Sequence, residues 1–185
     1  NSIRSQHLIT VKKTPQVNLL GDGREIAITV PEGKYNMVLK KVKEDGTIIT
    51  EAPATFKING NEVNTSNGIL TIANAKNIEN TAQVDTYEII ETKAPDGYTA
   101  IAGTMKVNVK FKLEGKTFVI DRENTTTEGF GNGAKFDISQ DNKTITVTVP
   151  NKEIPKPGQY SVELYKVDEQ GAIITTPAKF EINGK

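Results

Sequence analysis

Residues 35–60 read YNMVLKKVKEDGTIITEAPATFKING, and the chain returns to this text at residues 160–184 as YSVELYKVDEQGAIITTPAKFEING. In the first copy Tyr35, Met37, Leu39 and Lys41 occupy every second position, as Tyr160, Val162, Leu164 and Lys166 do in the second. A period of two places such side chains on one face of a β-strand. Each stripe is apolar up to its last member, and that member is a lysine.

The strand before each copy also recurs: EIAITVPE ends at Glu32 and KTITVTVPN ends at Asn151. Lys41 and Lys166 lie 125 residues apart, and Val30 and Val149 lie 119 apart. The repeating unit is therefore a whole domain and too long for a solenoid. This puts the chain out of phase with its own repeat. Residues 1–32 read as the closing strands of a preceding copy, 33–154 as one complete domain, and 155–185 as the opening strands of the next. Pro31 and Gly33 punctuate the first junction, and Pro155, Pro157 and Gly158 the second.

Further strand signals fill the middle: ATFKI, GILTI, TYEIIE, MKVNVKF, KTFVI and KFDIS, short and largely alternating. Turn pairs separate many of them, namely Asp45-Gly46, Asn59-Gly60, Asn67-Gly68, Asp96-Gly97 and Glu114-Gly115. Composition agrees. The 185 residues include 20 Ile, 14 Val and 22 Thr against 7 Leu, and β-branched side chains suit a pleated surface better than a helix. Residues 73–83, ANAKNIENTAQ, are expected to form at most a helical turn, since they lack an apolar face. With no βαβ alternation, the expected fold is an all-β antiparallel sandwich built from tandem repeats.

Composition also excludes chemistry. There is no cysteine, hence no disulfide, thiolate nucleophile or cysteine-held metal. The single histidine, His7, builds neither a multi-histidine metal site nor a plausible Ser–His triad; it reads as a surface or strand residue. Lys+Arg and Asp+Glu number 23 each, which leaves no basic footprint for nucleic acid. No run of 18 apolar residues spans a membrane, and no signal peptide or sorting tail is visible. Glu128-Gly-Phe-Gly-Asn-Gly133 lacks the strand-to-helix context of a phosphate loop and reads as a flexible loop. Asp45, Asp168 and their neighbours lack calcium-loop spacing. The sequons at Asn64, Asn124 and Asn142 carry little weight for a bacterial source. No metal or cofactor is expected.

Strand faces carry the one chemical signal. Tyr87, Ile89 and Glu91 share a face, so a carboxyl group points where an aromatic ring and an isoleucine point. Ile145, Val147, Val149 and Asn151 share another, which ends in a carboxamide. With Lys41, three strands each bear one polar group at the end of an inward stripe. A buried Lys–Glu pair has a bland reading as an ion pair, close to neutral for stability. Its sharper reading is chemical. Burial favours neutral forms, and a neutral amine is a nucleophile while a protonated carboxyl passes protons. An amine beside the Asn151 carboxamide would attack it and expel ammonia, cross-linking Lys41 to Asn151.

The segment YEIIETKAPDGY, residues 87–98, resembles the E-box strand and Pro-Asp-Gly-Tyr turn of CnaB-type (prealbumin-like) domains of Gram-positive surface proteins and pilins. LKKVKEDG, and more plainly LYKVDEQG, resembles that family's first strand, and TVTVPN its last. The resemblance covers residues 35–151, with partial copies on each side. It implies an Ig-like, prealbumin-like sandwich and an intramolecular isopeptide bond formed without an enzyme. Lys41 matches the reactive lysine, Glu91 the catalytic E-box acid and Asn151 the acceptor. Lys43 departs from the usual aspartate, which takes no part in the chemistry. Pro150 departs by removing a ladder donor just before the acceptor.

The partial copies differ. Glu32 occupies the acceptor position but is one methylene longer than the family's Asn or Asp, so no equivalent bond is expected before residue 33. Lys166 has the lysine position but no E-box or acceptor after it within this sequence, and is expected to stay a free amine. Bare sheet edges seek partners, so the expected partners are neighbouring repeats, with the strands of 1–32 and 155–185 completing each other within one chain or between two. The expected role is a stalk or shaft repeat of an extracellular, cell-wall-anchored adhesin or pilus-like protein, its signal peptide and anchor outside this fragment. Such a protein makes one self-directed turnover and is not an enzyme. The alternative is a ligand-binding adhesin domain that grips host matrix or glycan through loops such as 61–68 or 122–135.

Overall fold

The computed structural model describes residues 16–20, 25–158 and 161–182; His7 and Tyr160 lie outside the described residues. The chain divides into two compact units, Asn1–Ile154 and Pro155–Lys185. In the first, β1 (Gln16–Leu20) and β2 (Glu25–Thr29) pair antiparallel. Eleven strands follow: β3 (Gly33–Lys43), β4 (Thr55–Ile58), β5 (Asn61–Asn64), β6 (Ile69–Ile78), β7 (Val84–Lys93), β8 (Tyr98–Thr99), β9 (Thr104–Glu114), β10 (Thr117–Ile120), β11 (Thr126–Glu128), β12 (Lys135–Ile138) and β13 (Thr144–Glu153). Among the described residues there is no helix, and so none long and apolar enough to cross a membrane.

The eleven strands form two sheets. One has the order β10-β9-β7-β4-β5, with β11 also on β9; the other has the order β12-β13-β3-β6, with β8 on β13. Period-two alternation turns one face of each sheet inward. Tyr35, Met37, Leu39 and Lys41 of β3 and Ile145, Val147, Val149 and Asn151 of β13 are all at most 1% exposed. Phe56, Tyr87, Ile89, Met105, Val107, Phe118 and Ile120 meet the apolar members of these stripes from the other sheet, making one core. Full burial of each large apolar side chain contributes about 1.5–3 kcal/mol, so this two-sided stripe is what holds the sheets face to face. The all-β sandwich expected from the sequence is the fold observed.

One pairing departs from the antiparallel expectation. The first and last strands of the sandwich, β3 and β13, run parallel, with Lys41 opposite Val149 and Lys43 opposite Asn151. Parallel neighbours require a long crossover, and here the other sheet supplies it. Period-two reading gives faces but not direction, so it could not show that this one pair runs parallel.

Residues 73–78 correct another expectation. They continue β6 as strand, and the ladder to β3 shifts register around Met37. Ala75 has φ 49° there, and its N–H donates to Asn36 Oδ1 at 2.7 Å. At the start of the Glu128–Gly133 loop, a Cβ on Gly129 would lie 2.0 Å from the Thr104 carbonyl oxygen, so only glycine lets the backbone approach the start of β9 there. Gly33 is similarly obligatory, since a Cβ there would meet the Phe118 carbonyl oxygen at 2.2 Å.

In the second unit, the Ile174 N–H donates to the Lys166 carbonyl at 2.8 Å and the Asp168 N–H to the Ala172 carbonyl at 2.9 Å. Val167 and Ile173 form a bridge. The same bonds join Ile49 to Lys41 and Lys43 to Thr47, with Val42 bridging Ile48. The written repeat is thus also a repeat of local hydrogen bonding. Packing is where the copies differ: Val162, Leu164 and Phe180 are exposed, whereas their counterparts Met37, Leu39 and Phe56 are buried.

Candidate functional site

Lys41, Glu91 and Asn151 come together inside the sandwich. Lys41 ends the inward stripe of β3, Glu91 that of β7 and Asn151 that of β13. All three are buried. Because β3 and β13 are parallel neighbours, their stripes end at the same pole, and β7 brings Glu91 there from the opposite sheet.

Lys41 Nζ is 3.1 Å from Glu91 Oε1 and donates to the Val149 carbonyl at 3.0 Å. Asn151 Nδ2 donates to Glu91 Oε2 at 2.9 Å and to the Thr99 carbonyl at 2.9 Å. Glu91 Oε2 also accepts the Ile101 backbone N–H at 2.8 Å. One carboxylate therefore reaches the amine with one oxygen and the carboxamide nitrogen with the other. Asn151 Oδ1 is buried without a hydrogen-bond partner.

Burial lowers the Lys41 pKa from 10.5 to about 8, against the opposing pull of the Glu91 charge. Taking the amine out of water penalises its charged form, and one carboxylate returns only part of that loss. The amine is thus brought within reach of neutrality near physiological pH. Such perturbation marks chemical sites and structural ion pairs alike, so the geometry must separate the two.

The segment after the E-box strand closes the site. β8 pairs with β13 through Tyr98–Glu153 and Thr99–Lys152, which brings the Thr99 carbonyl and Ile101 N–H over the three side chains. Reading side-chain patterns could not have found these backbone groups. A second polar cluster was also missed, and here a signal existed. Two residues before Tyr87, Asp85 continues the same face. Tyr35 Oη donates to Asp85 Oδ2 at 2.5 Å and lies 2.6 Å from Tyr87 Oη, while Lys76 Nζ is 3.1 Å from Asp85 Oδ2. Burial, reinforced by the bond to Asp85, pushes the Tyr35 hydroxyl well above the usual tyrosine range. This cluster ties β3, β6 and β7 at the end of β3 and β7 remote from Lys41 and Glu91.

The two partial-copy residues have surroundings of their own. The Glu32 backbone is bridged to Thr117, its carbonyl accepting from Phe118 N–H at 3.1 Å. Lys166 is exposed. Among the described residues, no group of three or more His, Cys, Asp or Glu gathers to hold a metal ion.

No protein-family model matches the sequence, and no curated protein matches it. Among solved structures, the chain is similar to the C-terminal fragment of the pilus adhesin SpaC from Lactobacillus rhamnosus GG, at 20% identity and TM-score 0.41 over 78% of this chain and 56% of that one. SpaC in its open conformation gives 19% identity and TM-score 0.42 over 78% of this chain and 18% of that one. The group B streptococcus pilus 2b backbone protein gives 18% and 0.35 over 74% of this chain and 46% of that one. The chain spans less than two thirds of each of these neighbours.

Proposed function

We propose that this chain is a segment of a bacterial surface stalk or pilus-like fibre, and that its complete sandwich, residues 33–154, locks itself with an amide bond between Lys41 and Asn151. The observation that carries this reading is the Glu91 carboxylate, placed between the nucleophilic nitrogen at 3.1 Å and the leaving nitrogen at 2.9 Å. A buried ion pair alone has no need of the carboxamide. Neutral Lys41 Nζ attacks Asn151 Cγ, the new Cγ–Nζ bond forms and the Cγ–Nδ2 bond breaks. Glu91 takes one proton from Nζ and returns one to Nδ2, which departs as ammonia. No oxidant, metal or cofactor enters the balance, and the site turns over once, so the protein is not an enzyme.

The CnaB-type assignment rests on YEIIETKAPDGY and on the order of Lys41, Glu91 and Asn151 along the chain. The stalk assignment rests on the repetition of 35–60 at 160–184, since spacers are extended by duplication. The exposed Val162, Leu164 and Phe180 suit a unit whose partners are the neighbouring strands of a further repeat. A staple that reductants cannot open suits an extracellular, cell-wall-attached location.

The test is intact mass. Wild type is expected to be lighter than its sequence by one ammonia, and Lys41→Ala, Glu91→Ala and Asn151→Ala to match theirs. Fragmentation should place the link between the peptides carrying Lys41 and Asn151. A wild-type mass equal to that of the sequence would sink the proposal and leave a buried ion pair.

A further inference from the structure

Resting on that reaction, the surroundings of Asn151 say which acceptor the site takes. Its amide nitrogen has two hydrogens, and the structure gives each an acceptor: Glu91 Oε2 at 2.9 Å and the Thr99 carbonyl at 2.9 Å. Oδ1 is buried with no hydrogen-bond partner. The carbonyl of Thr99 can only accept, and Glu91 Oε2 already accepts from the Ile101 N–H. Turning the amide over would press Oδ1 against both oxygens and leave each without a hydrogen from Asn151.

We infer that Thr99 and Glu91 form a two-acceptor cradle for the leaving nitrogen, which makes this site selective for a carboxamide at position 151 over a carboxyl group. The cradle also sets the role of Glu91: the carboxyl faces the departing nitrogen and serves it with a proton, while the carbonyl oxygen of Asn151 points away. The Thr99 carbonyl is a positioning group, holding the second hydrogen as ammonia departs. Thr99, Ile101 and Pro150 also line a surface cavity of about 490 Å³, so the segment that grips the nitrogen borders open space into which ammonia can leave.

An aspartate at 151 would lose water instead of ammonia, a reaction that balances equally well. Ionised, it would set an oxygen against two acceptors. Protonated, it would offer one hydrogen where two are needed. Because Thr99 is assigned to hold its hydrogen as the leaving group departs, an acceptor left unmatched at that stage is expected to slow the reaction by about tenfold to a hundredfold.

The experiment compares refolded wild type with Asn151→Asp at one pH, following intact mass with time. Wild type should lose ammonia, and the variant should lose water at least about tenfold more slowly. Equal rates would overturn the cradle while leaving the cross-link itself standing. No ammonia loss in wild type would overturn the cross-link instead. A second measurement covers a variant that does not fold. In wild type refolded well below pH 8, where protonated Lys41 holds the reaction back, both side-chain amide hydrogens of Asn151 should exchange slowly with solvent by NMR. Rapid exchange of either one refutes the cradle.

Discussion

The rate of self-cross-linking should follow the titration of Lys41. Burial brings this amine from 10.5 down to about 8. At pH 7 about one site in ten then carries the neutral nucleophile, where an ordinary lysine would have about one in three thousand. Folding thus raises the reactive fraction by about 300-fold before any gain from positioning. Between pH 6 and pH 7 the rate in freshly refolded protein should climb about tenfold, and it should level off above about pH 8. The assay is a refolding jump from acid denaturant into buffers of stepped pH, with aliquots quenched in acid and ammonia loss read by intact mass. The same shift acts on stability before the bond forms. The folded-state pKa is the lower one, so the unfolded chain binds more protons between about pH 8 and pH 10.5. Stability of the unlinked fold therefore rises with pH across that window, by about 3 kcal/mol in all, and the full penalty is present below it. The Asn151→Ala variant, which keeps Lys41 and Glu91, is the protein in which to measure it by denaturant titration. A cross-linking rate that is flat or falling from pH 6 to pH 8 would refute the claim that the neutral amine is the attacking species.

Two further outcomes follow from the placement of side chains. If the proposed bond forms, Asn151→Ala takes away a covalent closure spanning 110 residues, worth about 4–5 kcal/mol by chain-entropy reasoning; calorimetry should then show Tm lower by roughly 15–20 °C, and an unchanged Tm would deny the bond a structural role. Tyr35→Phe removes a hydroxyl shared with Asp85 and Tyr87 and should cost about 1–2 kcal/mol in denaturant unfolding, while the ammonia-loss mass stays as in wild type because this cluster lies away from Lys41.

What the sequence displayed was whatever side-chain alternation encodes. The stripes Tyr35–Lys41, Tyr87–Glu91 and Ile145–Asn151 are legible because each reads apolar at every second position and ends in one polar group, and the structure brings those three ends together. Strands with no such stripe stayed hidden. Polar β5 at Asn61–Asn64 and the short β8 and β11 are edge or lid strands held by backbone bonds, which any sequence can make. For the same reason Thr99 and Ile101 were invisible: what they contribute to the site is a carbonyl and an N–H. Asp85 was within reach, since extending the Tyr87 stripe by one step finds it. Strand direction was not, because a face pattern reads identically forwards and backwards.

That unread direction decides how the cross-link would carry load. In an antiparallel pair, a chain entering on the first strand and leaving on the last does so at the same end of the sheet. Here β3 and β13 are parallel, so the chain enters at Gly33 at one pole and leaves after Glu153 at the other. Tension on the two ends then shears β3 against β13 along their whole length. Lys41 stands near the far end of β3 and Asn151 near the exit of β13. A bond between them routes the load along β3, across one amide and out through residues 151–154. The chain between residues 42 and 150, which holds the entire sheet opposite β3 and β13, lies off that path. Without the bond, the same pull is resisted only by the parallel ladder and by the core packed on it. The parallel pairing and the strand-end position of Lys41 are therefore both required for one covalent bond to shield the whole domain, and moving the amine to the entry end of β3 would leave that strand to be peeled away.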